Sequence, residues 1–261
     1  MDLCLEGKRI IITGGTSGIG QACVIAAAKA GARVAFCGIG EEGAEETKEA
    51  VRKAGTEPFF RALDLCDLDM ARRFTRDAVA FLGGLDGLVN NAGQNFFHGV
   101  ATSNYDQIVR CFSLNFFSAW AISQEAYPAL KAAGGGVIVL MSSIYAQRVL
   151  PGVFPYNVSK AALEALTKSI AVEWGPDNIQ AVAIAPAMVI TPMADLHFRE
   201  KKDPNAARKN MEESYPLRRA GRPEDISSLV VYLLSGANRF INGGVIPVNG
   251  GAEAQLRVAH L

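Results

Sequence analysis

The sequence predicts an α/β fold, a single domain in which a parallel sheet is flanked by helices. Three observations lead there. Short, apolar, β-branched runs alternate with longer helical stretches along nearly the whole chain. The first of these strands ends in a glycine cluster that opens directly into a helix. No repeat, low-complexity tract or Pro/Gly-rich linker divides the 261 residues, so residues 1–261 read as one unit.

Residues 8–13 (KRIIIT) form the first strand, its isoleucines suited to a pleated surface. The helix after it repeats Ile19, Cys23, Ala26, Ala27 and Ala30 at a 3.6-residue period, a face of small side chains fit for close packing. Residues 33–37 are a second strand, and 41–54 a charged helix that Gly55 ends. The third strand spans 58–63 with Asp64 just beyond it, helix 68–81 follows, and 85–90 is the fourth strand. A long helical stretch over 103–133 carries Asn115 in its middle, and Gly134-Gly135-Gly136 leads into a fifth strand at 137–141. Helix 157–174 precedes the sixth strand, 180–185, which ends at Pro186. The alternation then breaks. Residues 187–220 are polar, charged and without a strand, with two short helices expected at 193–199 and 206–213. A stretch that long at the C-terminal edge of a parallel sheet reads as a substrate lid. Helix 224–235 and a strand at 245–248 complete the series before Asn249-Gly250-Gly251.

Composition excludes several classes. Lys+Arg and Asp+Glu both number 26, and a formally neutral chain lacks the basic excess of a nucleic-acid binder. There is no basic stretch followed by an apolar leader, and no run of 18 apolar residues, so a cytoplasmic protein with no membrane segment is expected. Cys4, Cys23, Cys37, Cys66 and Cys111 are odd in number and show no CxxC spacing, which reads as reduced, packed thiols. His98, His197 and His260 are too dispersed for a zinc site, and no metal is expected.

Two motifs carry chemistry. Thr13-Gly14-Gly15-Thr16-Ser17-Gly18-Ile19-Gly20 lies between a strand and a helix, where glycines let backbone approach a pyrophosphate and the helix N-terminus stabilises its charge. Tyr156 and Lys160 lie four apart at the start of a helix, on one face. A phenol titrates near pH ~10. An ammonium one turn away favours the phenolate and is expected to lower that value. Such a pair suits acid/base work on an alcohol or ketone.

Gly14-x3-Gly18-x-Gly20, Asn90-Asn91-Ala92-Gly93, Asn115, Ser143, Tyr156-x3-Lys160 and Asn249-Gly250-Gly251 stand in an order that resembles the short-chain dehydrogenase/reductase family, from about residue 5 to 251. The resemblance implies a Rossmann-like doubly wound sheet, a nicotinamide cofactor, and a homotetramer or homodimer. It implies a catalytic set of Asn115, Ser143, Tyr156 and Lys160. In that set Tyr156 moves the hydroxyl proton, Ser143 holds the oxygen, Lys160 also binds the nicotinamide ribose, and the Asn115 amide holds a proton-relaying water. Ser143, not its neighbour Ser142, matches the family's serine thirteen residues before the tyrosine. The implied cofactor site takes Gly14, Thr16, Ser17, Gly18, Ile19 and Gly20 at the phosphates, with Gly38, Asp64, Leu65, Asn91, Ala92 and Gly93 along the adenosine. Tyr156, Lys160, Pro186, Val189 and Thr191 would surround the nicotinamide half.

Two departures from the family pattern stand out. Pro186-Ala187 replaces the common Pro-Gly after the sixth strand. After the second strand, Gly38-Ile39-Gly40 supplies neither the acid that reads the ribose of NAD nor the base that reads the phosphate of NADP. Ser17 is not basic, and Glu41 and Glu42 would repel a phosphate. NAD is therefore favoured over NADP, and an aspartate put at position 38 is expected to widen that preference. Gln94, Tyr145, Gln147, Arg148, Met188 and His197, with Ser143, are the candidate substrate residues. Their hydrogen-bonding character suits a small polar substrate: a sugar, polyol or hydroxy acid carrying a secondary alcohol or ketone. Two alternatives stay open, a 3-oxoacyl-thioester reductase and a non-catalytic dinucleotide-binding sensor.

Overall fold

The computed structural model describes residues 3–255, apart from the side chains of Glu42 and His197. Seven parallel strands form one sheet in the order β3-β2-β1-β4-β5-β6-β7. They are β1 (Arg9–Thr13), β2 (Arg33–Gly38), β3 (Phe59–Ala62), β4 (Gly87–Asn90), β5 (Gly136–Met141), β6 (Ile179–Pro186) and β7 (Val245–Val248). The order runs outward in both directions from the β1–β4 pair, so the sheet is doubly wound. The strand order switches direction between those two strands, and at such a switch point open α/β sheets bind ligands beyond the strands' C-terminal ends.

Side-chain alternation along β1 sets the two cores. Ile10 and Ile12 face one side with Phe36 of β2 and with Val24, Val51, Ile226 and Val230, from α1 (Gly18–Lys29), α2 (Glu42–Lys53) and α9 (Pro223–Ser235). Ile11 faces the other with Phe74, Ile122 and Leu163, from α3 (Leu68–Leu82), α5 (Ser118–Ala132) and α6 (Tyr156–Glu173). The three isoleucines are fully buried, and each such side chain contributes about 1.5–3 kcal/mol. On α1 the buried face is Gly20, Cys23, Val24, Ala27 and Ala28, one step round from the predicted stripe, while Ile19, Ala26 and Ala30 are partly covered.

The predicted helix over 103–133 is interrupted. α4 (Tyr105–Phe112) passes into a π-helical turn, Ser113–Phe117, before α5 begins. The extra residue in that turn carries Asn115, whose buried amide bonds to a neighbouring loop instead of facing solvent. The excursion at 187–220 holds two short helices, α7 (Pro192–Arg199) and α8 (Pro204–Glu213). Each starts slightly earlier than predicted, because proline is favoured at the first helical position and does not end a helix there. Thr191 and Asp203 cap them by accepting from Ala194 N at 3.3 Å and Ala206 N at 3.0 Å. An isolated parallel bridge, Val189 to Gly221, ties the base of the excursion. Among the described residues no helix is long and apolar enough to cross a membrane.

Candidate active site

The site assembles where β1, β4, β5 and β6 end. Thr13 closes β1, and its hydroxyl accepts from the backbone N–H groups of Asn91 and Ala92, each at 3.0 Å. Asn91 returns a side-chain bond to the Thr13 carbonyl at 2.9 Å, while Asn90 turns inward onto Ser123 at 2.9 Å. The Asn-Asn-Ala-Gly segment is thereby fastened to the glycine turn.

That turn is shaped for a dinucleotide. Gly14 and Gly18 adopt φ of +70° and +56°, the left-handed region that favours glycine. A side chain at Gly20 would overlap the Gly14 carbonyl and the Asn91 amide. Ser17 is the N-cap of α1 yet makes no side-chain hydrogen bond to it, so the first turn's amides carry no side-chain cap. Thr191 lies close by, since a Cβ on Gly18 would come within 3.1 Å of its methyl. At the adenosine end, Leu65 is buried, and Asp64 accepts from Cys66 N at 2.9 Å and faces Arg110 at 3.4 Å. The Cys66 amide bond, with Arg110 adding to it, holds the Asp64 carboxyl below its ordinary range. A Cβ at Gly38 would lie 2.6 Å from the Thr16 side chain. An aspartate at 38 would therefore require the Thr16 side chain to turn aside.

The catalytic candidates converge. Ser143 follows β5 in extended conformation, accepts from Tyr145 N at 3.2 Å, and acts to lower the Tyr156 pKa. Ser142 turns away, donating to Glu164 Oε1 at 3.0 Å. Lys160 is buried, 5.6 Å from the Tyr156 ring centroid, and donates to the Met141 carbonyl at 2.8 Å. Gly93 makes room for this, because a Cβ there would sit 3.1 Å from both Asn115 Oδ1 and Lys160 Nζ. Asn115 accepts from Gln94 N at 2.9 Å and donates to Gln94 O at 3.0 Å and Ser159 Oγ at 3.1 Å. Its side-chain amide fastens loop to helix through these bonds.

The electrostatics of the protein alone run against the expected lowering of the phenol. Burial pushes the Tyr156 phenol up to about 12, and Ser143 opposes that rise. Burial in turn lowers the Lys160 ammonium to about 8. In the protein alone, desolvation outweighs the helical proximity of the two groups.

The substrate candidates divide. Tyr145 stands edge-on to Tyr156, with centroids 6.5 Å apart. Gln147 gives its amide N–H to Glu164 Oε2 at 3.1 Å, and exposed Arg148 faces Glu253 at 3.9 Å. Gln94 is held by its backbone, with its side chain exposed. Met188 lines a cavity with Ala187, Tyr215, Leu217 and Arg219 that contains none of the four catalytic side chains. His197 falls on α7, but its side chain lies outside the described residues. Val189 packs into the core.

Two residues escaped the sequence reading. Glu164 is buried one turn after Lys160, where an acid on an otherwise apolar face was the available signal. Phe97 stands 5.4 Å from Tyr156, and an aromatic pair just past the Asn-Asn-Ala-Gly segment was the hint. Among the described residues, no group of three or more His, Cys, Asp or Glu side chains could hold a metal ion.

Comparison with known proteins agrees with this construction. The family model described as enoyl-(acyl carrier protein) reductase matches residues 14–253. A tropinone reductase homologue of Arabidopsis thaliana is 34% identical over 250 residues, covering 95% of this chain and 91% of the relative. A solved protein assigned as a short-chain alcohol dehydrogenase, from Sinorhizobium meliloti 1021, superposes with a TM-score of 0.92 at 34% identity, covering 98% of this chain and 100% of the other. Another, assigned as an NAD(P)-dependent gluconate 5-dehydrogenase from Beutenbergia cavernae and solved with NADP, gives 0.90 at 28% identity, covering 98% and 100%. With its doubly wound sheet, glycine turn and Ser143–Tyr156–Lys160 cluster, the chain belongs to the short-chain dehydrogenase/reductase family and is an NAD(P)-dependent oxidoreductase acting on the alcohol–ketone couple.

Proposed function

We propose that Ser143, Tyr156 and Lys160, with Asn115 behind them, interconvert a secondary alcohol and its ketone. The observation that carries this is the convergence of Ser143, Tyr156 and the buried Lys160 beside the glycine turn, with Lys160 Nζ 5.6 Å from the Tyr156 ring centroid and bonded to the Met141 carbonyl. A phenol held near 12 is protonated at neutral pH and ready to donate to a forming alkoxide, while Ser143 holds the same oxygen. Lys160 orders this end of the site through its bond to the Met141 carbonyl. A bound nicotinamide supplies or accepts the hydride.

Gly14, Thr16, Ser17, Gly18, Ile19 and Gly20 would hold the cofactor's phosphates. Gly38, Asp64, Leu65, Asn91, Ala92 and Gly93 would follow its adenosine, and Tyr156, Lys160, Pro186, Val189 and Thr191 its nicotinamide half. NAD is the preferred form in this reading. Ile39 is 71% exposed just past β2 and carries no charge for a ribose phosphate, and Glu41 follows it. Residues 187–220 act as the lid of this one-domain enzyme. A cytoplasmic homodimer or homotetramer is part of the same proposal, supported by exposed Val109, Phe117, Trp120, Val158 and Val172 on α4 to α6.

A sugar, polyol or hydroxy acid draws less support from the geometry than from the sequence, because Gln147 and Arg148 already have partners. Carrier-bound acyl thioesters would need a basic patch at the mouth, and Arg148 faces Glu253. The test is a panel of alcohols and ketones with both cofactors, followed by the absorbance of the reduced nicotinamide. Turnover that vanishes in Tyr156→Phe is expected; a panel with no Tyr156-dependent turnover would overturn the reading.

A further inference from the structure

Three rings, Phe97, Tyr145 and Tyr156, cluster together. Phe97 lies 5.4 Å from Tyr156 at 83°, Tyr145 lies 6.5 Å from it at 81°, and Phe97 and Tyr145 are 6.1 Å apart at 83°. Each pair is close to perpendicular, so the two neighbours form a right-angled corner beside the phenol. The corner is anchored. Phe97 bridges to Pro155, and the N–H groups of His98 and Gly99 donate to the Phe154 carbonyl at 2.9 and 3.0 Å. Tyr145 is held through its own N–H on Ser143. Phe97 nevertheless keeps 36% of its surface exposed, and Val149 and Leu150 beyond Tyr145 keep 55% and 53%. Met193 and Leu196 on α7 are exposed as well. This much apolar surface in the loops at the C-terminal ends of β4 and β5 and on the first lid helix is unusual for solvent-facing segments.

The charged groups nearby are committed elsewhere. Arg148 faces Glu253, Lys160 is buried on Met141 O, and the Glu164 carboxylate is covered by Ser142 and Gln147. Among the described residues, a substrate carboxylate or ammonium would find Arg148, Lys160 and Glu164 already engaged. A flat apolar ring lies against one aromatic face and edge-on to the other.

We propose that Phe97 and Tyr145 select an uncharged substrate in which the carbinol or carbonyl carbon belongs to, or is attached to, an alicyclic or aryl ring. The proposal rests on Tyr156 acting as the acid/base, and it makes Phe97 a specificity-determining residue.

The test compares cyclohexanone and acetophenone with linear acetoin and gluconate, in wild type, Phe97→Ala and Phe97→Leu. Ring compounds are expected to exceed linear ones in kcat/KM by at least about tenfold, and Phe97→Ala to shrink that ratio by about tenfold, mainly through KM. Phe97→Leu, which keeps bulk without an aromatic face, should fall between. Acetophenone binding to the enzyme–cofactor complex, read by ligand-observed NMR, needs no turnover and should weaken in Phe97→Ala. Equal or better use of linear polar substrates, an unchanged ratio in Phe97→Ala, or no acetophenone binding to wild type would overturn the proposal. If Tyr156→Phe turns over the ring ketones as wild type does, the acid/base reading beneath it fails instead.

Discussion

The Lys160 ammonium sits 2.8 Å from the Met141 carbonyl, at the end of β5 and one residue before the paired serines. The bond satisfies the ammonium only in part, since burial still lowers its pKa from 10.5 to about 8. Below pH 8 both the folded and unfolded chains carry the proton, and the folded one bears the desolvation cost. Between about 8 and 10.5 the folded chain releases its proton first, so stability gains from this residue as pH rises. Replacing the buried cation by Lys160→Met should therefore stabilise the cofactor-free protein relative to wild type at neutral pH. The difference should narrow toward pH 10.5 by up to about 3 kcal/mol, measured by urea unfolding across that range. A pH-independent difference would remove the buried-cation account.

Ser143 opposes the rise in the Tyr156 pKa, so its loss should act on proton transfer. Ser143→Ala should cut turnover by about 10²–10³, a loss typical of a donor to a developing oxyanion. It should also move the alkaline-rising limb of alcohol oxidation to higher pH, because oxidation needs the phenolate and the variant makes it harder to form. Ser142→Ala, which loses only the bond to Glu164, should stay within about tenfold of wild type. Stopped-flow pH profiles of all three proteins separate the roles.

The glycine turn tolerates no side chain at position 20. Gly20→Ala would press on the Gly14 carbonyl and the Asn91 amide, and should destabilise the protein by about 1–3 kcal/mol while weakening NAD binding. Calorimetric titration and Tm together check it; an intact affinity for NAD would place the phosphates elsewhere.

Cofactor choice turns on the exposed residue after β2. Wild type should show the higher kcat/KM with NAD, and Ile39→Arg should raise kcat/KM for NADP by about tenfold or more by supplying a guanidinium for the phosphate. A wild type faster with NADP would contradict the preference.

The strands and their order of appearance were legible because buried β-branched runs and glycine turns are local signals. Tyr156 and Lys160 on one helical face followed from spacing alone. What spacing could not convey was how deep the pair lies, and depth moved both pKa values against the simple expectation of a lowered phenol. The π turn at Asn115 was illegible for a related reason, since its amide bonds to Gln94, 21 positions away, and only the folded chain brings them together. Glu164 and Phe97 likewise take their meaning from partners across the fold. Gln147 and Arg148 read as substrate contacts in sequence because their own partners, Glu164 and Glu253, were out of view.

The central claim is that the Tyr156 hydroxyl moves the substrate proton. Its most direct measurement is turnover and cofactor affinity of Tyr156→Phe, which removes one oxygen and keeps the ring packed against Phe97 and Tyr145. The account predicts a fall in kcat of at least about 10³ with NAD affinity within roughly threefold of wild type. A variant retaining turnover within about tenfold, a loss of only ~1.4 kcal/mol, would contradict it.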